Sequence, residues 1–235
     1  MRKVMTLIVA AMVGWLVACG PAASLKPLFT EKDLTFDDGL LGQWTDDTPG
    51  FVLTFEKNGP NAYRLTNSEI GRNQLPTQTV YGAHLVSLGD HLFLDVVPDQ
   101  WPAQRYQAQL GTVRADDHQG AADAPSLIRI DDGFYAEIEG ATNAPSAGTT
   151  LSLMQGHWIF RVDRQGDSLV LSALDQDWLA KAIEQGRIDS SLKVAKDNGN
   201  DLVLTADTAD LQRFVIQYAD DNEAFQPSSE LHRTN

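Results

Sequence analysis

The chain has 235 residues, 43% of them hydrophobic and 21% charged, one cysteine and a formal charge of −14. Those proportions belong to a folded globular protein, not to a disordered or fibrous one. The acidic balance argues against a nucleic-acid partner, which demands basic patches, and against peripheral docking on anionic headgroups.

The N-terminus comes first. Met1-Arg2-Lys3 is positively charged, Val4 to Val17 is apolar apart from Thr6, and small Ala18 precedes Cys19. This is the layout of a secretory signal, too short for a bilayer span of ~20 apolar residues. Leu16-Val17-Ala18-Cys19 resembles the lipobox of bacterial lipoproteins. The resemblance implies that residues 1–18 are removed, that Cys19 carries a diacylglycerol thioether, and that its acyl chains anchor the protein to a membrane, each buried CH₂ contributing ~0.8 kcal/mol. Gly20 stands where that family's inner-membrane retention signal has Asp. In a host with two membranes, the resemblance therefore implies the outer one, facing the periplasm. With the only thiol so used, no disulfide, zinc–cysteine site or thiol catalysis remains. Without residues 1–18 the chain keeps 217 residues and a formal charge of −16, enough for one core burying ~70% of the unfolded surface.

Residues 19–30 begin with the small, featureless Gly20-Pro21-Ala22-Ala23-Ser24 and read as a lipidated tether. Residues 31–235 form one globular domain, opened by the capping-box spacing of Thr30 and Asp33. From Leu40 the pattern is β. Phe51–Phe55 and Ala62–Leu65 flank Asn58-Gly59, a strong hairpin signal. Val80–Val86 and Leu92–Val97 form a second hairpin, ended by Pro98. A third joins His157–Val162 to Leu169–Leu171 through Gly166-Asp167, and a fourth joins Leu192–Val194 to Leu202–Leu204. Residues 111–156, rich in Ala, Asp, Gly, Thr and Ser, read as a flexible excursion holding a hairpin, Leu127–Ile130 with Phe134–Ile138. Two amphipathic helices complete the pattern. Asp175 caps one in which Trp178, Leu179, Ala182 and Ile183 share a face, with Gly186 beyond its end. Asp207 or Thr208 caps the other, with Leu211, Phe214, Val215 and Tyr218 at helical spacing. The fold class is mainly β (α+β): an antiparallel, barrel-like or strongly curved sheet with two packing helices.

Candidate chemistry is sparse. Gly166-Asp167-Ser168-Leu169 spells the signature of a serine hydrolase family, but that family sets its serine at a strand-to-helix turn and adds an Asp-x-x-His, absent here; a hairpin turn accounts for Gly166 and Asp167. Asp197-Asn198-Gly199-Asn200-Asp201 has the oxygen density of a calcium loop without EF-hand spacing, and a turn is the simpler reading. His84 and His91 can face each other across Leu88-Gly89-Asp90, as packing rather than as a metal pair. No cofactor motif and no metal cluster is expected. Gly42-Gln43-Trp44, a Gly-x-Trp near the first strand, resembles the opening of lipocalins, closed barrels that hold small apolar ligands. That likeness implies that Trp44 packs across the closed end; Trp44 also reads as plain core or a ligand-contacting aromatic. Over its length the chain resembles bacterial envelope lipoproteins without an established activity. They share stretches like Ser24–Asp33, a Gly-x-Trp, and Leu171–Leu179, which transfer no catalytic residue.

These readings favour a lipid-anchored envelope protein, non-enzymatic, that binds or scaffolds at the membrane to which Cys19 holds it. The alternatives are a lipocalin-like carrier of a small apolar ligand and an envelope hydrolase using Ser168.

Overall fold

The computed structural model describes residues 21–70, 75–99, 126–131, 134–139, 150–197, 199, 201–227 and 230–234. Its centre is an antiparallel barrel of eight strands. β3 (Gly42–Thr45), β4 (Val52–Lys57), β5 (Tyr63–Ile70), β6 (Pro76–Leu88) and β7 (His91–Pro98) make an up-and-down meander. β7 then pairs with β11 (His157–Gln165), β11 with β12 (Ser168–Leu174), β12 with β16 (Leu231–Arg233), and β16 returns to β3. Every pairing in this ring is antiparallel, and closure removes the exposed strand edges that an open sheet would leave.

Side chains alternate across the wall, as the period of two requires. The register sets Leu53, Phe55, Tyr63, Leu65, Ala83, Leu85, Leu94, Val96, Val162, Leu169 and Leu171 on the inner face, where with Leu40, Trp44 and Leu231 they form one core. The opposite face of the same strands supplies Val86, Phe93, Ile159 and Leu174 to a second core, outside the barrel. Two helices cover it: α1 (Gln176–Glu184) through Trp178, Leu179 and Ala182, and α2 (Thr208–Gln217) through Leu211, Phe214 and Val215. Asp175 caps α1 as its position implies, its carboxylate accepting from the Trp178 N–H at 2.6 Å. Asp207 occupies the N-cap of α2 with no side-chain bond to the helix, and Thr208 donates to the Pro27 carbonyl at 2.9 Å. Among the described residues no helix is long and apolar enough to cross a membrane.

Short strands extend the wall. β2 (Leu34–Thr35) pairs with β6 at Val86 and Leu85, beyond the end of β5, and β15 (Phe225–Pro227) takes the edge of β12 that β16 leaves free. β1 (Ala23–Ser24) lies between β11 and β14 (Leu202–Leu204), which carries β13 (Val194–Lys196). The stretch read as a tether is therefore folded from Ala22 onward: Ala22, Ala23, Ser24 and Leu28 are fully buried. Small side chains that look featureless in sequence are what lets the chain lie flat between a strand and the helix layer. The excursion contributes a separate three-stranded sheet, β8 (Ser126–Asp131), β9 (Phe134–Glu139) and β10 (Thr150–Gln155), of which β10 leads directly into β11. The rest of residues 111–156 lies outside the described residues.

Candidate functional site

The two ends of the barrel differ. One is sealed. Trp44 has no exposed surface, and its indole N–H donates to the Leu40 carbonyl at 2.8 Å. Above it the Arg233 guanidinium sits 4.5 Å from the ring centre and donates to the carbonyls of Leu41 and Gly39 and, at 3.1 Å, to Asp167. Gly42 has φ +112°, and a Cβ there would come within 3.0 Å of Arg233. Both facts require glycine two residues before the tryptophan. Tyr63 accepts from the Asp37 N–H at 2.7 Å, and Arg164 clamps the Asp37 carboxylate at 2.9 Å. Burial, the largest influence, pushes the Tyr63 phenol up to about 12. Trp44 is thus a buried aromatic of the barrel core.

At the other end the inner face carries Phe51, Asn67, Tyr81, Trp158 and Phe160, the four aromatics half-buried, and Trp158 packs on into a third cluster with Ala23, Leu25, Leu127, Met154 and Val203. Tyr81 and Trp158 meet edge to face with centroids 5.5 Å apart. Asn67 stands opposite inward-facing Leu53, and its Oδ1 is buried with no hydrogen-bond partner. The β5–β6 hairpin projects past this end, with Ile70 and Leu75 more than half exposed. Two surface depressions lie away from this end, of about 200 Å³ beside Asp90–Leu92 and Val162–Gln165, and about 310 Å³ between α2 and Ile188–Leu192.

A polar cluster sits on the outer wall. Asp95, with no exposed surface, accepts from the Leu28 N–H and from His157 Nδ1, each at 2.7 Å. His84 faces Asp95 across the β6–β7 ladder and packs on Phe29 with centroids 4.6 Å apart. Its burial holds the imidazole pKa below the usual histidine value, against the pull of Asp95 and with the push of His157. His84 and His91 do not face each other: His84 pairs with Asp95 and His91 with Leu88, four positions further along the same ladder. Among the described residues no group of three or more His, Cys, Asp or Glu is placed to hold a metal. Asp95 is spent on pinning the N-terminal segment to the barrel.

Ser168 lies at the sealed end on the outer face, opposite His232 in the β12–β16 ladder. Its hydroxyl donates to Glu230, and among the described residues no hydrogen bond joins the imidazole to either. An activated serine donates to a base that a third group orients; that order of contacts is missing. In the loop that resembles a calcium site, Asp197 Oδ1 accepts from the N–H groups of Gly199 and Asp201. Arg129 of β8 supplies the cation, 2.8 Å from Asp197 and 2.7 Å from Asp201. Cys19 lies outside the described residues.

Sequence reasoning missed Arg233, Asn67 and Arg129, and named Asp95 only as a possible partner of His84 and His91. Each acts across 62 or more residues of chain or from an unremarkable strand position, and no local pattern marks it. Comparison with family models, curated proteins and solved structures finds no match to this chain. What the fold defines is a small antiparallel β-barrel with packing helices.

Proposed function

We propose that this protein is a carrier of a small apolar molecule, held at the aromatic end of its barrel and tethered to the cell envelope through lipidated Cys19. One observation supports the carrier reading: inward-facing Phe51, Tyr81, Trp158 and Phe160 keep partial solvent exposure at that end, while Trp44, Phe55, Tyr63 and Leu169 deeper in the barrel are fully buried. Apolar walls with a few placed polar groups are the usual make-up of small-ligand sites. The anchor reading rests on the signal layout and on Leu16–Cys19. It gains meaning from the fold, because only Gly20 and Pro21 separate Cys19 from buried Ala22. The barrel then rides directly on an outer-membrane surface. The scaffolding role favoured by the anchor alone gives no account of the exposed inner aromatics.

Titration with a neutral apolar dye such as Nile red tests the carrier. Saturable one-to-one binding that quenches tryptophan emission, weakened roughly tenfold in Tyr81→Ala by loss of ring burial, is the expected result. Equal binding to wild type and variant would overturn it. The anchor has its own test: labelled palmitate enters the wild type and not Cys19→Ser.

A further inference from the structure

Met154 is the one methionine between Cys19 and the C-terminus; the other three, Met1, Met5 and Met12, precede the cysteine. It lies on β10, the strand of the outer three-stranded sheet that leads into β11. Arg129 on β8 and Met154 on β10 both pair with Tyr135 of β9. Partnered residues share a face and the strand period is two, so Leu127, Arg129 and Met154 stand on one side of this sheet. That side docks on β1, β13 and β14. Leu127 and Met154 pack with Ala23, Trp158 and Val203, and Arg129 reaches Asp197 and Asp201 in the β13–β14 turn.

We infer that Met154 is a site of reversible oxidation, and that its sulfoxide undocks the three-stranded sheet from the rest of the protein. Met154 keeps partial solvent exposure, whereas Ala23, Leu127 and Val203 of the same cluster are buried. A soluble oxidant of the peroxide class therefore reaches this side chain at the joint itself. The thioether sulfur takes one oxygen atom and gives up two electrons, and hydrogen peroxide leaves as water. A reductase with a dithiol reverses the step: the oxygen departs as water and the dithiol becomes a disulfide. Oxidation turns a flexible apolar filler into a polar group. An oxygen set among Leu127, Trp158 and Val203 loses its water, and the sheet avoids that cost by letting go. The inference is independent of what the barrel carries.

The full-length protein is exposed to hydrogen peroxide at pH 7, and peptide mass mapping follows oxygen gain at each methionine. Met154 should oxidise within roughly tenfold of the rate of free methionine in the same tube, as a partly exposed thioether does. Limited digestion with thermolysin then reads undocking. With Met154 oxidised, cleavage within residues 126–155 should quicken roughly tenfold, because proteolysis tracks the open population, while cleavage within β3–β7 keeps its rate. Methionine sulfoxide reductases should restore the original pattern. Met154→Leu, of similar volume, should digest like unoxidised wild type before and after peroxide. Met154→Gln should digest quickly with no oxidant. A Met154 that stays reduced while free methionine is consumed would overturn the inference. So would a sulfoxide that leaves cleavage unchanged, peroxide-quickened cleavage in Met154→Leu, or an equal quickening in β3–β7, which would mean loss of the whole fold.

Discussion

Arg233 and Trp44 lie 189 positions apart in the sequence and pair in the β16–β3 ladder, the guanidinium 4.5 Å above the indole. This contact is where the last strand of the chain locks onto the first strand of the barrel. Arg233→Ala removes the cation–ring contact and leaves two buried-end carbonyls without their donor. The expected loss is about 3 kcal/mol, read as a lower urea midpoint with unchanged slope. Arg233→Lys should recover less than half, because an ammonium cannot span both carbonyls while stacking flat. A Lys variant as stable as wild type would reduce the contact to simple charge.

Tyr63 links the same floor to the segment before β3 through its hydroxyl, which accepts from Asp37 N–H and donates to the Asp37 carbonyl at 3.2 Å. Tyr63→Phe should cost about 1–2 kcal/mol by orphaning that N–H. The phenol is also raised from the ordinary 10.0 to about 12. A raised native value means its contribution is complete below pH 10 and is lost as pH climbs through about 12. Phenolate absorbance should therefore show one tyrosine ionising late, and Tyr63→Phe should lose that step and flatten stability in the same window.

The Asp197–Asp201 loop already holds a cation of its own, the Arg129 guanidinium, and Asp197 is buried. Millimolar calcium should leave the wild-type melting temperature unchanged. Arg129→Ala strips the counter-charge from a buried carboxylate and should destabilise by about 3 kcal/mol, more than Asp197→Asn. It should also free β8 from β13, so limited proteolysis within residues 126–155 accelerates. A calcium-dependent rise in wild-type melting would mean that the metal displaces Arg129.

Much of this fold is legible locally, and the reasons are physical. Runs such as Phe51–Phe55 and Leu92–Val97 alternate or saturate with β-formers next to glycine turns, and both helices carry apolar faces with a cap or glycine at an end. The strands that close the barrel are different. β16 spans three residues, and β1 and β2 two each, too few for any period to register. Their pairing is decided by long-range packing: Leu231 joins the barrel core, Ala22 packs under the helices, and Ala23 packs on the other face against Leu127 and Val203. β10 was hidden by the low-complexity composition around it. Trp44 reads as a core aromatic in the sequence, and it is fully buried. The half-exposure of Phe51, Tyr81, Trp158 and Phe160 is not legible, because an inward aromatic that stays half-exposed has the same spelling as one that is buried.

His84 and Asp95 supply a test of the outer wall at acid pH. His84 is held below the ordinary 6.5 chiefly by burial against Phe29, with Asp95 pulling it upward and His157 pushing it further down. A native value below the unfolded one means that the unfolded chain binds the proton more readily. The stability tied to neutral His84 is therefore present above pH 6.5 and is lost as pH falls through the native value. His84→Gln carries no titrating group, so its urea midpoint should fall less than that of wild type between pH 7.5 and 5. The two curves should run parallel above pH 7.5. Because Asp95 also holds the Leu28 N–H, protonating His84 loosens the barrel at the point where the N-terminal segment is pinned. Hydrogen exchange at Leu28 should accelerate on acidification in wild type and less so in His84→Gln, while exchange in β3 and β4, across the barrel, stays unchanged. A uniform rise across all strands would instead mean global unfolding, with no special place for this histidine.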